Sequence, residues 1–426
     1  MKNRFLSILV ALLIVVGSFS INLFGVSAIS IVSGDFMYHA LEDGTVQLEA
    51  YFGKAADVVI PDTIDGKTIS AIGFVTFPET VKTVDIPASV TKISDVRIFA
   101  HSMTSISVDE NNKHYSSENG VLFNKDKTEI LKYPEANANT SYQIPETVVK
   151  IGDFAFNWCE KLTSITIPDD VTYIGDRSFY FCSGVKSIAL PKSLLSIGFE
   201  AFAYCGIETI SIPAAVTKIE DDSFEHCDNL ASVTVDENSK HFSSVDGVMF
   251  NKDKTQLLKF PEVNSATKYD IPNTVKQIGG YAFYLNRNLT EITVPSSVTS
   301  IGSMAFSGCY SLLSMDIPIS VTAIDYGAFE YSESLTISCY ANSAIHKYAV
   351  ENDIKCLLKK SDEIGDCNND AKINMADVLI LRKYLAKWNV VINTANADCN
   401  ADTKINMADV LLLRKYLAKW DVVLGK

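Results

Sequence analysis

A phrase of about 23 residues that recurs along most of the chain limits the fold more than any other feature. The phrase LTSITIPDDVTYIGDRSF begins at Leu162 and returns as LTEITVPSSVTSIGSMAF at Leu289. Prolines mark the period, because Pro145, Pro168 and Pro191 follow one another at intervals of 23 residues. One unit of this size cannot bury its apolar side chains alone, so neighbouring units must stack on each other. The sequence therefore predicts a solenoid.

Within each unit, apolar residues alternate along a short predicted strand and continue through a turn. Ile165 and Ile167 alternate with polar residues, and Pro168 ends the strand because proline has no N–H to donate. A cysteine follows three residues after a phenylalanine in the units that contain Cys159, Cys182, Cys205, Cys227 and Cys309. Their regular spacing and odd number favour buried packing over disulfide, redox or metal chemistry. Cys339 and Cys356 lie outside this series, and whether they pair stays open.

A longer duplication interrupts the 23-residue period twice. The segment VDENNKHYSSENGVLFNKDKTEILKYPE from Val108 matches VDENSKHFSSVDGVMFNKDKTQLLKFPE from Val235, at an offset of 127 residues. Alternating runs flank an NKDK sequence in each copy, which predicts β-hairpin inserts over about residues 108–144 and 235–271. We interpret the Asp residues of these turns as turn formers rather than metal ligands. The role of the inserts stays open.

The repeat phrase I-x-I-P-x-x-V-x-x-I-G-x-x-A/S-F-x-x-C resembles the BspA-like leucine-rich repeats of bacterial surface proteins. The resemblance covers residues 71–357, including two hairpin inserts and a closing cap, and residues 29–70 are similar to the cap that opens such arrays. It implies a β-rich solenoid of short strands and turns. It also implies a surface that binds a macromolecule, without catalysis.

The residues between the buried positions of each strand are predicted to face outwards in two columns rich in hydroxyl groups. Three acidic residues, Asp85, Glu291 and Asp316, are widely separated in these columns. A glycosidase needs two carboxylates that converge on one bond, roughly 5–10 Å apart. Because the repeats single out no such pair, catalytic residues are not expected, and a glycoside hydrolase is kept as the alternative interpretation.

An aromatic residue precedes the cysteine position in several units. The set consists of Trp158, Phe181, Tyr204 and His226, with Tyr331 later in the chain. One interpretation is that the rings stack on sugars or anchor a protein partner. We favour the other interpretation, in which the rings pack between neighbouring turns.

The N-terminus has the three parts of an export signal. A positively charged start is followed by an apolar stretch over residues 5–16 and by small residues that end at Ala28. The apolar stretch is shorter than the roughly 20 residues that span a bilayer, so residues 1–28 are predicted to be a cleaved signal peptide. We expect an extracellular protein without a membrane anchor. The net charge of −14 argues against a nucleic-acid partner, since phosphate contacts need clustered Lys and Arg.

From Gly365 the sequence changes character and contains two nearly identical copies of one segment. DCNNDAKINMADVLILRKYLAKW starts at Asp366 and DCNADTKINMADVLLLRKYLAKW starts at Asp398, 32 residues later, and the copies differ at three positions. Each copy places oxygen groups at loop positions 1, 3, 5, 7, 9 and 12, the ligand spacing of an EF-hand calcium loop. The predicted ligands of two Ca²⁺ ions are Asp366, Asn368, Asp370, the Lys372 carbonyl, Asn374 and Asp377, and then Asp398, Asn400, Asp402, the Lys404 carbonyl, Asn406 and Asp409.

A helix is predicted after each loop. In the first copy its apolar face is expected to consist of Val378, Leu379, Leu381, Leu385 and Trp388. Loop position 6 is usually Gly, because the chain makes a sharp turn there, but this chain has Ala371 and Thr403. A side chain in a left-handed conformation costs roughly 1–2 kcal/mol. We therefore expect weaker calcium binding, particularly at the second loop.

The two copies resemble type I dockerins, the modules that bind cohesins on cellulosomal scaffoldins. The loop with a single helix, the 32-residue offset and the C-terminal position carry the resemblance, which covers residues 365–426 after a linker over residues 358–364. It implies a small all-α, paired EF-hand-like fold that contacts a cohesin through loop positions 10 and 11 and the following helix. Those residues are Met375, Ala376, Arg382, Lys383, Met407, Ala408, Arg414 and Lys415. The Met-Ala pairs depart from those familiar in the family, so the cohesin class stays open.

Together these features predict a multidomain, secreted and non-catalytic component of a cellulosome-like complex at the cell surface. The dockerin-like module would attach the protein to a scaffoldin. The solenoid would recognise a protein, cell-surface or polysaccharide target in the breakdown of plant polysaccharides. Besides the glycoside hydrolase, a cell-surface adhesin is the remaining alternative.

Overall fold

The computed structural model describes residues 30–98, 101–220, 222–359 and 363–425, so the predicted signal peptide lies outside the described residues. The chain divides into two units. One comprises the described residues up to Ile207 together with Ala215–Cys227, and the other comprises Glu208–Ala214 together with the described residues from Asp228 onwards. Within the described ranges, no helix is both long enough and apolar enough to cross a membrane.

The first unit opens with a sheet in which hairpin pairing changes to the parallel pairing of the repeats. Its strands are Ile31–Ser33, Phe36–Ala40, Val46–Tyr51, Thr63–Ile64, Lys67–Thr76 and Lys92–Ile93. The strand Val46–Tyr51 pairs antiparallel with Phe36–Ala40 and parallel with Lys67–Thr76. Buried residues such as Tyr38, Leu48 and Ile72 form its core.

In the rest of the first unit, the repeats add short parallel strands to two kinds of ladder. The first kind consists of Asp57–Val59, Thr83–Ile86 and Ser105–Val108, and of Ser141–Gln143 and Ser164–Thr166. The second consists of Tyr115–Glu118, Val121–Asn124, Glu129–Lys132, Lys150–Ile151, Tyr173–Ile174, Ser196–Ile197 and Lys218–Ile219. A short 3₁₀ helix covers Val96–Ile98. Neighbouring strands pair one period apart, as Ile174 does with Ile197.

The second unit repeats this arrangement. The strands that follow the alternating apolar pattern are Thr209–Ile212, Ser232–Val235, Lys268–Asp270, Glu291–Thr293, Ser314–Asp316, Thr336–Cys339 and Lys355–Leu358. The other sheet contains Phe242–Val245, Val248–Asn251, Gln256–Lys259, Gln277–Ile278, Ser300–Ile301 and Ala323–Ile324. The predicted solenoid of short strands is therefore present in both units.

Stacked phenylalanines run through the core of each unit. Phe156, Phe179, Phe202 and Phe224 stack in the first unit with centroid distances of 5.1, 5.3 and 5.7 Å. Phe260, Phe283, Phe306 and Phe329 stack in the second with distances of 5.1, 4.9 and 5.3 Å. Each ring is covered by rings one turn away, which is the physical reason why a single repeat is not stable alone.

The cysteines of the repeat series are buried thiols that donate to a carbonyl oxygen of the preceding turn. They are Cys159, Cys182, Cys205, Cys227 and Cys309. Cys182 Sγ, for example, lies 3.1 Å from the Phe156 carbonyl oxygen. Ser332 takes the same position in the last repeat, and its hydroxyl donates to the Phe306 carbonyl at 2.8 Å. The position therefore holds a buried hydrogen-bond donor, and the prediction of structural packing is confirmed.

Each insert folds into two successive β-hairpins, as predicted. Asn119 and Gly120 connect the first pair of strands with φ angles of 51° and 79°, the two positive values of a type I′ turn. Asp246 and Gly247 do the same in the second copy with φ angles of 51° and 80°. The third strand of each insert pairs in parallel with the next repeat, so the inserts remain part of the ladder.

The α-helices of the described residues lie in the C-terminal part of the second unit. Helix α1 (Ala344–Glu351) follows the last repeat, and the C-terminal module contains α2 (Met375–Leu385), α3 (Thr394–Ala397) and α4 (Met407–Leu417). The core of this module consists of Cys367, Val378, Leu381, Ala397, Cys399, Val410 and Leu413. The fold class is as predicted, a β-rich solenoid followed by a small helical module.

Candidate metal centre and docking faces

Three carboxylates converge in the first loop of the C-terminal module. Oxygen atoms of Asp366, Asp370 and Asp377 lie within 4.8 Å of one another. Asp366 and Asp377 are buried and Asp370 is half-buried. Buried charges of one sign are costly unless an opposite charge compensates them. This set of anionic oxygens fits Ca²⁺, which prefers oxygen ligands.

Helix α2 fixes the position of the third carboxylate. Asn374 is the N-cap, and its Oδ1 accepts a hydrogen bond from the Ala376 N–H at 2.7 Å. Asp377 Oδ2 accepts from the Asn374 N–H at 2.8 Å, and its Oδ1 accepts from the Cys367 N–H at 2.9 Å. The Asp377 side chain thus completes a capping box and connects the start of the loop to the helix.

The electrostatic environment of Asp377 favours a nearby positive charge. Burial raises the pKa of Asp377 to about 6, and the nearby carboxylates of Asp366 and Asp370 act in the same direction. A divalent cation between the three groups would reverse this effect, because it favours the ionised form. The first loop is therefore suited to hold a cation.

The remaining predicted ligands of the first loop surround the carboxylates. Asn368 donates from its side-chain amide to Asp370 Oδ2 at 3.0 Å, and its Oδ1 accepts from the Asp370 N–H at 3.0 Å. Lys372 is exposed, and its N–H donates to Asp370 Oδ1 at 3.0 Å. Asn374 has its side-chain oxygen engaged as the helix cap, which suits a contact to the ion through water.

The second loop repeats these contacts in a more exposed setting. Asp398 accepts from the Asp402 and Thr403 N–H groups at 3.1 and 2.8 Å. Asp409 accepts from the Asn400 and Asn406 N–H groups at 3.3 and 2.8 Å. Asp409 is buried, whereas Asp398 is half-buried and Asp402 is exposed. Lys404 is exposed as well, and its N–H donates to Asp402.

Both loops contain residues in the left-handed backbone region. Position 6 was predicted to turn this way, and Ala371 and Thr403 have φ angles of 56° and 70°. Position 4 does so too, with φ angles of 57° at Asn369 and at Ala401. Asn tolerates this conformation better than Ala, so the second loop carries the less favourable residue at position 4. Its Thr403 is β-branched, which is unfavourable at positive φ.

Asn396 is a contributor to the first loop that the sequence analysis missed. It lies buried in α3, its side-chain amide donates to the Asp366 carbonyl at 3.2 Å, and its own carbonyl accepts from the Gly365 N–H at 2.8 Å. The N-cap Asn393 precedes it. A short Asn-rich turn between the two copies was the available signal. Helix α3 therefore covers the first loop from one side.

The predicted docking residues lie on two similar exposed surfaces. Met375, Leu379 and Trp388 are exposed by 61%, 54% and 62%, and Met407, Leu411 and Trp420 by 60%, 53% and 62%. Ala376, Arg382, Ala408 and Arg414 are exposed, whereas Lys383 and Lys415 are half-buried. The ammonium groups of the two lysines lie 5.7 and 5.8 Å from the ring centroids of Trp388 and Trp420.

This arrangement corrects one expectation about α2. Leu379 and Trp388 were expected on the buried apolar face, but both are exposed, and the buried residues are Val378 and Leu381 with Leu385 half-buried. Only a narrow stripe of α2 faces the module core, and the equivalent stripe of α4 packs against it there. The other apolar side chains, such as Leu379, remain exposed to solvent.

Comparison with known protein families matches both parts of the chain. The model described as BspA type Leucine rich repeat region (6 copies) matches residues 149–268 and 259–360, and the model described as Dockerin type I domain matches residues 364–418. The chain is a BspA-type leucine-rich-repeat protein with a type I dockerin domain. A dockerin implies a cohesin as partner and calcium as ligand.

Solved structures with similar repeats come from several bacteria. A leucine-rich repeat protein of Eubacterium ventriosum is 24% identical with a TM-score of 0.47, over 74% of this chain and 73% of that chain. A leucine rich cell surface protein of Faecalibacterium prausnitzii is 24% identical with a TM-score of 0.46, over 74% and 89%. The pneumococcal vaccine antigen PcpA is 19% identical with a TM-score of 0.40, over 78% and 99%. No curated protein matches the chain.

In the leucine-rich repeats, the outward-facing acidic residues interact with other side chains. Asp316 pairs with Lys359 at 2.6 Å, Glu291 pairs with Lys268 at 2.5 Å, and Asp85 accepts a hydrogen bond from the Ser107 hydroxyl. Each carboxylate thus has a local structural partner. Neither of the two matched domains is a catalytic domain.

The aromatic column of the first unit is a continuous stack. Trp158 and Phe181 lie 4.0 Å apart, Phe181 and Tyr204 4.2 Å, and Tyr204 and His226 4.2 Å, with interplanar angles of 7°, 11° and 16°. The faces of these rings cover one another, so they are not free to stack on a sugar. The interpretation that the rings pack between turns is confirmed for these four residues.

The dockerin-proximal end of the repeats contains a cleft of about 350 Å³. Tyr326, Tyr331, Tyr348, Glu330 and Asn352 are among its lining residues. Tyr326 and Tyr331 are exposed. Aromatic rings beside polar groups are typical of ligand pockets.

Two buried ion pairs in the inserts also escaped the sequence analysis. Lys132 and Glu135 lie 2.6 Å apart, as do their counterparts Lys259 and Glu262, and all four residues are buried. Burial raises the pKa of Glu262 to about 7, although Lys259 opposes the shift. The duplicated phrases LKYPE and LKFPE carry these pairs, but a Lys in a strand normally indicates a solvent-facing position.

Proposed function

We propose that the protein is a secreted, non-catalytic component of a cellulosome-like complex, anchored through its dockerin to a scaffoldin cohesin. The observation that carries the proposal is the pair of anionic loops, each followed by an exposed apolar and basic surface. The export signal over residues 1–28 and the dockerin resemblance support an extracellular location. The leucine-rich repeats then serve as the recognition surface.

Calcium is the cofactor we propose for both loops. The twelve ligands named from the sequence would hold two ions, and the converging acids of the first loop support this assignment. When bound, Ca²⁺ neutralises the loop carboxylates. The residues of this chain cap α2 and α4 and present the docking surfaces.

We further propose that either dockerin repeat can engage the cohesin. The surface around Arg382 and Lys383 and the surface around Arg414 and Lys415 have the same residue types and nearly equal exposure. A partner that fits one surface would therefore fit the other after rotation of the module. Basic and apolar groups together favour a partner surface that is apolar with acidic residues at its rim.

Paired alanine substitutions test the two-surface hypothesis. Arg382→Ala with Lys383→Ala should leave cohesin affinity within about twofold, or 0.4 kcal/mol, because the second surface remains. The matched variant at Arg414 and Lys415 should behave the same, and the variant with all four changes should lose binding. Calorimetry with the full-length protein and excess Ca²⁺ provides the measurement. A loss of binding from one pair alone would show that a single surface docks.

For the solenoid, we propose recognition of a protein, cell-surface or polysaccharide target in plant polysaccharide degradation. The cleft near Tyr326 and Tyr331 is our first candidate for the contact. Full-length protein held on a cohesin resin would be offered the culture secretome, insoluble cellulose or xylan, and whole cells. Retention of substrate or secreted protein supports this role, and retention of cells alone supports an adhesin.

The enzymatic alternative makes a different prediction in the same system. A glycoside hydrolase subunit of the cellulosome would release reducing sugar from cellulose or xylan, and substitution of a carboxylate in the repeats would remove that release. We expect no release.

Replacement of Tyr326 and Tyr331 by alanine tests whether the cleft binds the target of the solenoid. Tyr310→Ala is the control, because Tyr310 is an exposed tyrosine outside the cleft.

A further inference from the structure

Two cysteines at the end of the repeats differ from those of the ladder. The ladder thiols donate to backbone carbonyl oxygens one turn away. Cys339 and Cys356, by contrast, lie thiol against thiol, with their Sγ atoms 2.7 Å apart. This distance is shorter than the normal contact between two sulfur atoms that are not bonded.

The strand register brings these two cysteines together. Thr336–Cys339 and Lys355–Leu358 pair in parallel, with Ile337 opposite Cys356 and Cys339 opposite Leu358. The two cysteines thus lie on one face of the sheet, one pleat apart. Cys339 is buried and Cys356 is half-buried, so one thiol is accessible from outside.

We propose that Cys339 and Cys356 form a disulfide that fastens the C-terminal cap to the last leucine-rich repeat. The proposal rests on the proposed export of the protein, because disulfides persist in oxidising compartments. It does not depend on cohesin binding. The strand register brings these two sulfur atoms together, which favours a bond between them.

The chemistry requires an oxidant with a disulfide of its own, such as a thiol–disulfide exchange protein or oxidised glutathione. The Cys356 thiolate attacks this disulfide, forms a mixed disulfide and releases one thiolate. Burial and the neighbouring thiol raise the pKa of Cys339 to about 12, so the accessible Cys356 makes the first attack. Cys339 then attacks the Cys356 sulfur, gives up its proton and displaces the second thiol. Two thiols are oxidised and one external disulfide is reduced to two thiols.

The place of the bond explains what it does. The two cysteines are 17 positions apart, and the closed loop contains α1 and ends within the last strand of the sheet, Lys355–Leu358. Terminal repeats have a neighbour on one side only, so they open most easily. A cross-link there restricts opening of the end from which the chain continues to the dockerin.

Disulfide mapping of the full-length protein tests the proposal. The protein is equilibrated with equal concentrations of reduced and oxidised glutathione, quenched with acid, alkylated with N-ethylmaleimide and digested. We expect most molecules to yield one cross-linked peptide pair containing Cys339 and Cys356. If most molecules instead carry alkyl or glutathione groups on both residues, the proposal is wrong.

Two variants test the mechanical role. Cys356→Ser removes the cross-link, and Cys309→Ser is the matched control because the ladder position already accepts serine at Ser332. We expect hydrogen exchange at Lys355–Leu358 to become several-fold faster in Cys356→Ser, and in the reduced wild type, than in the oxidised wild type. The control should keep both the cross-link and the slow exchange. Equal exchange in oxidised and reduced wild-type protein would overturn the fastening role.

Discussion

The two dockerin repeats have nearly the same sequence but differ in the setting of their loops. In the first, Asp366 is buried, three carboxylates converge within 4.8 Å, and Asn396 holds the loop from outside. In the second, Asp398 is half-buried and Asp402 is exposed. The docking surfaces, by contrast, match to within 1% in the exposure of their apolar residues.

This difference distinguishes two properties of each repeat, its docking surface and its calcium loop. The surfaces are set by the helices, whose sequences differ only by Ile380 and Leu412. The loops differ at positions 4 and 6, where the backbone is left-handed. We therefore expect the repeats to be interchangeable in docking but unequal in calcium binding, with the first loop the tighter site.

The largest effect is expected from the carboxylate at loop position 12. Asp377→Asn or Asp409→Asn should each weaken Ca²⁺ binding at its own loop by at least about 100-fold, or about 3 kcal/mol. The reason is the loss of a charged ligand that also accepts backbone N–H bonds. Calorimetric titration of the full-length protein should show the stoichiometry fall from two ions to one.

The same two variants distinguish the loops when calcium is chelated. Each leaves a backbone N–H facing an amide NH₂ group, at a cost of about 1–3 kcal/mol. Asp377→Asn also removes one of three converging charges and so relieves repulsion. In chelator, we expect Asp377→Asn to lower the free energy of unfolding by less than Asp409→Asn does. Equal losses, measured by urea denaturation, would mean that the loops do not differ electrostatically.

How much of this was visible in the sequence depends on the range of the interactions. The proline period, the Ile165 and Ile167 alternation and the D-x-N-x-D spacing are local, and they predicted the ladders and the loops. The exposure of Leu379 and Trp388 was not predictable, because helix periodicity identifies an apolar face but not how wide a stripe the neighbouring helix covers.

Contacts between distant segments could not be predicted from the sequence either. The Cys339–Cys356 approach depends on the register of two strands, and the Asn396 contact depends on how α3 folds back on the first loop. The role of the ladder cysteines as hydrogen-bond donors, however, could have been predicted from the sequence. Ser332 stands at the cysteine position of the last repeat, and Cys and Ser share little besides small size and a hydrogen to donate.

A smaller effect is expected from glycine at loop position 6. Thr403→Gly removes a β-branched side chain from a position with φ of 70°, which should stabilise the loop by about 1–2 kcal/mol. Glycine loses more conformational entropy on folding, which costs about 0.5–1 kcal/mol. The net gain should tighten the second site about two- to fivefold. Ala371→Gly is the matched change and should gain less. If the two variants gain equally, β-branching does not cause the inequality of the loops.

The smallest effect is expected at loop position 4. Ala401→Asn places in the second loop the residue that the first loop has at Asn369, at the same φ of 57°. Because Asn tolerates left-handed backbone through local hydrogen bonds, Ca²⁺ affinity of the second site should rise by up to about twofold, or 0.4 kcal/mol. The control exchanges Ile380 and Leu412, both half-buried, and conserves volume, so it should leave both calcium affinities unchanged. A larger change from the control than from Ala401→Asn would place the inequality in the helix packing instead of the loop backbone.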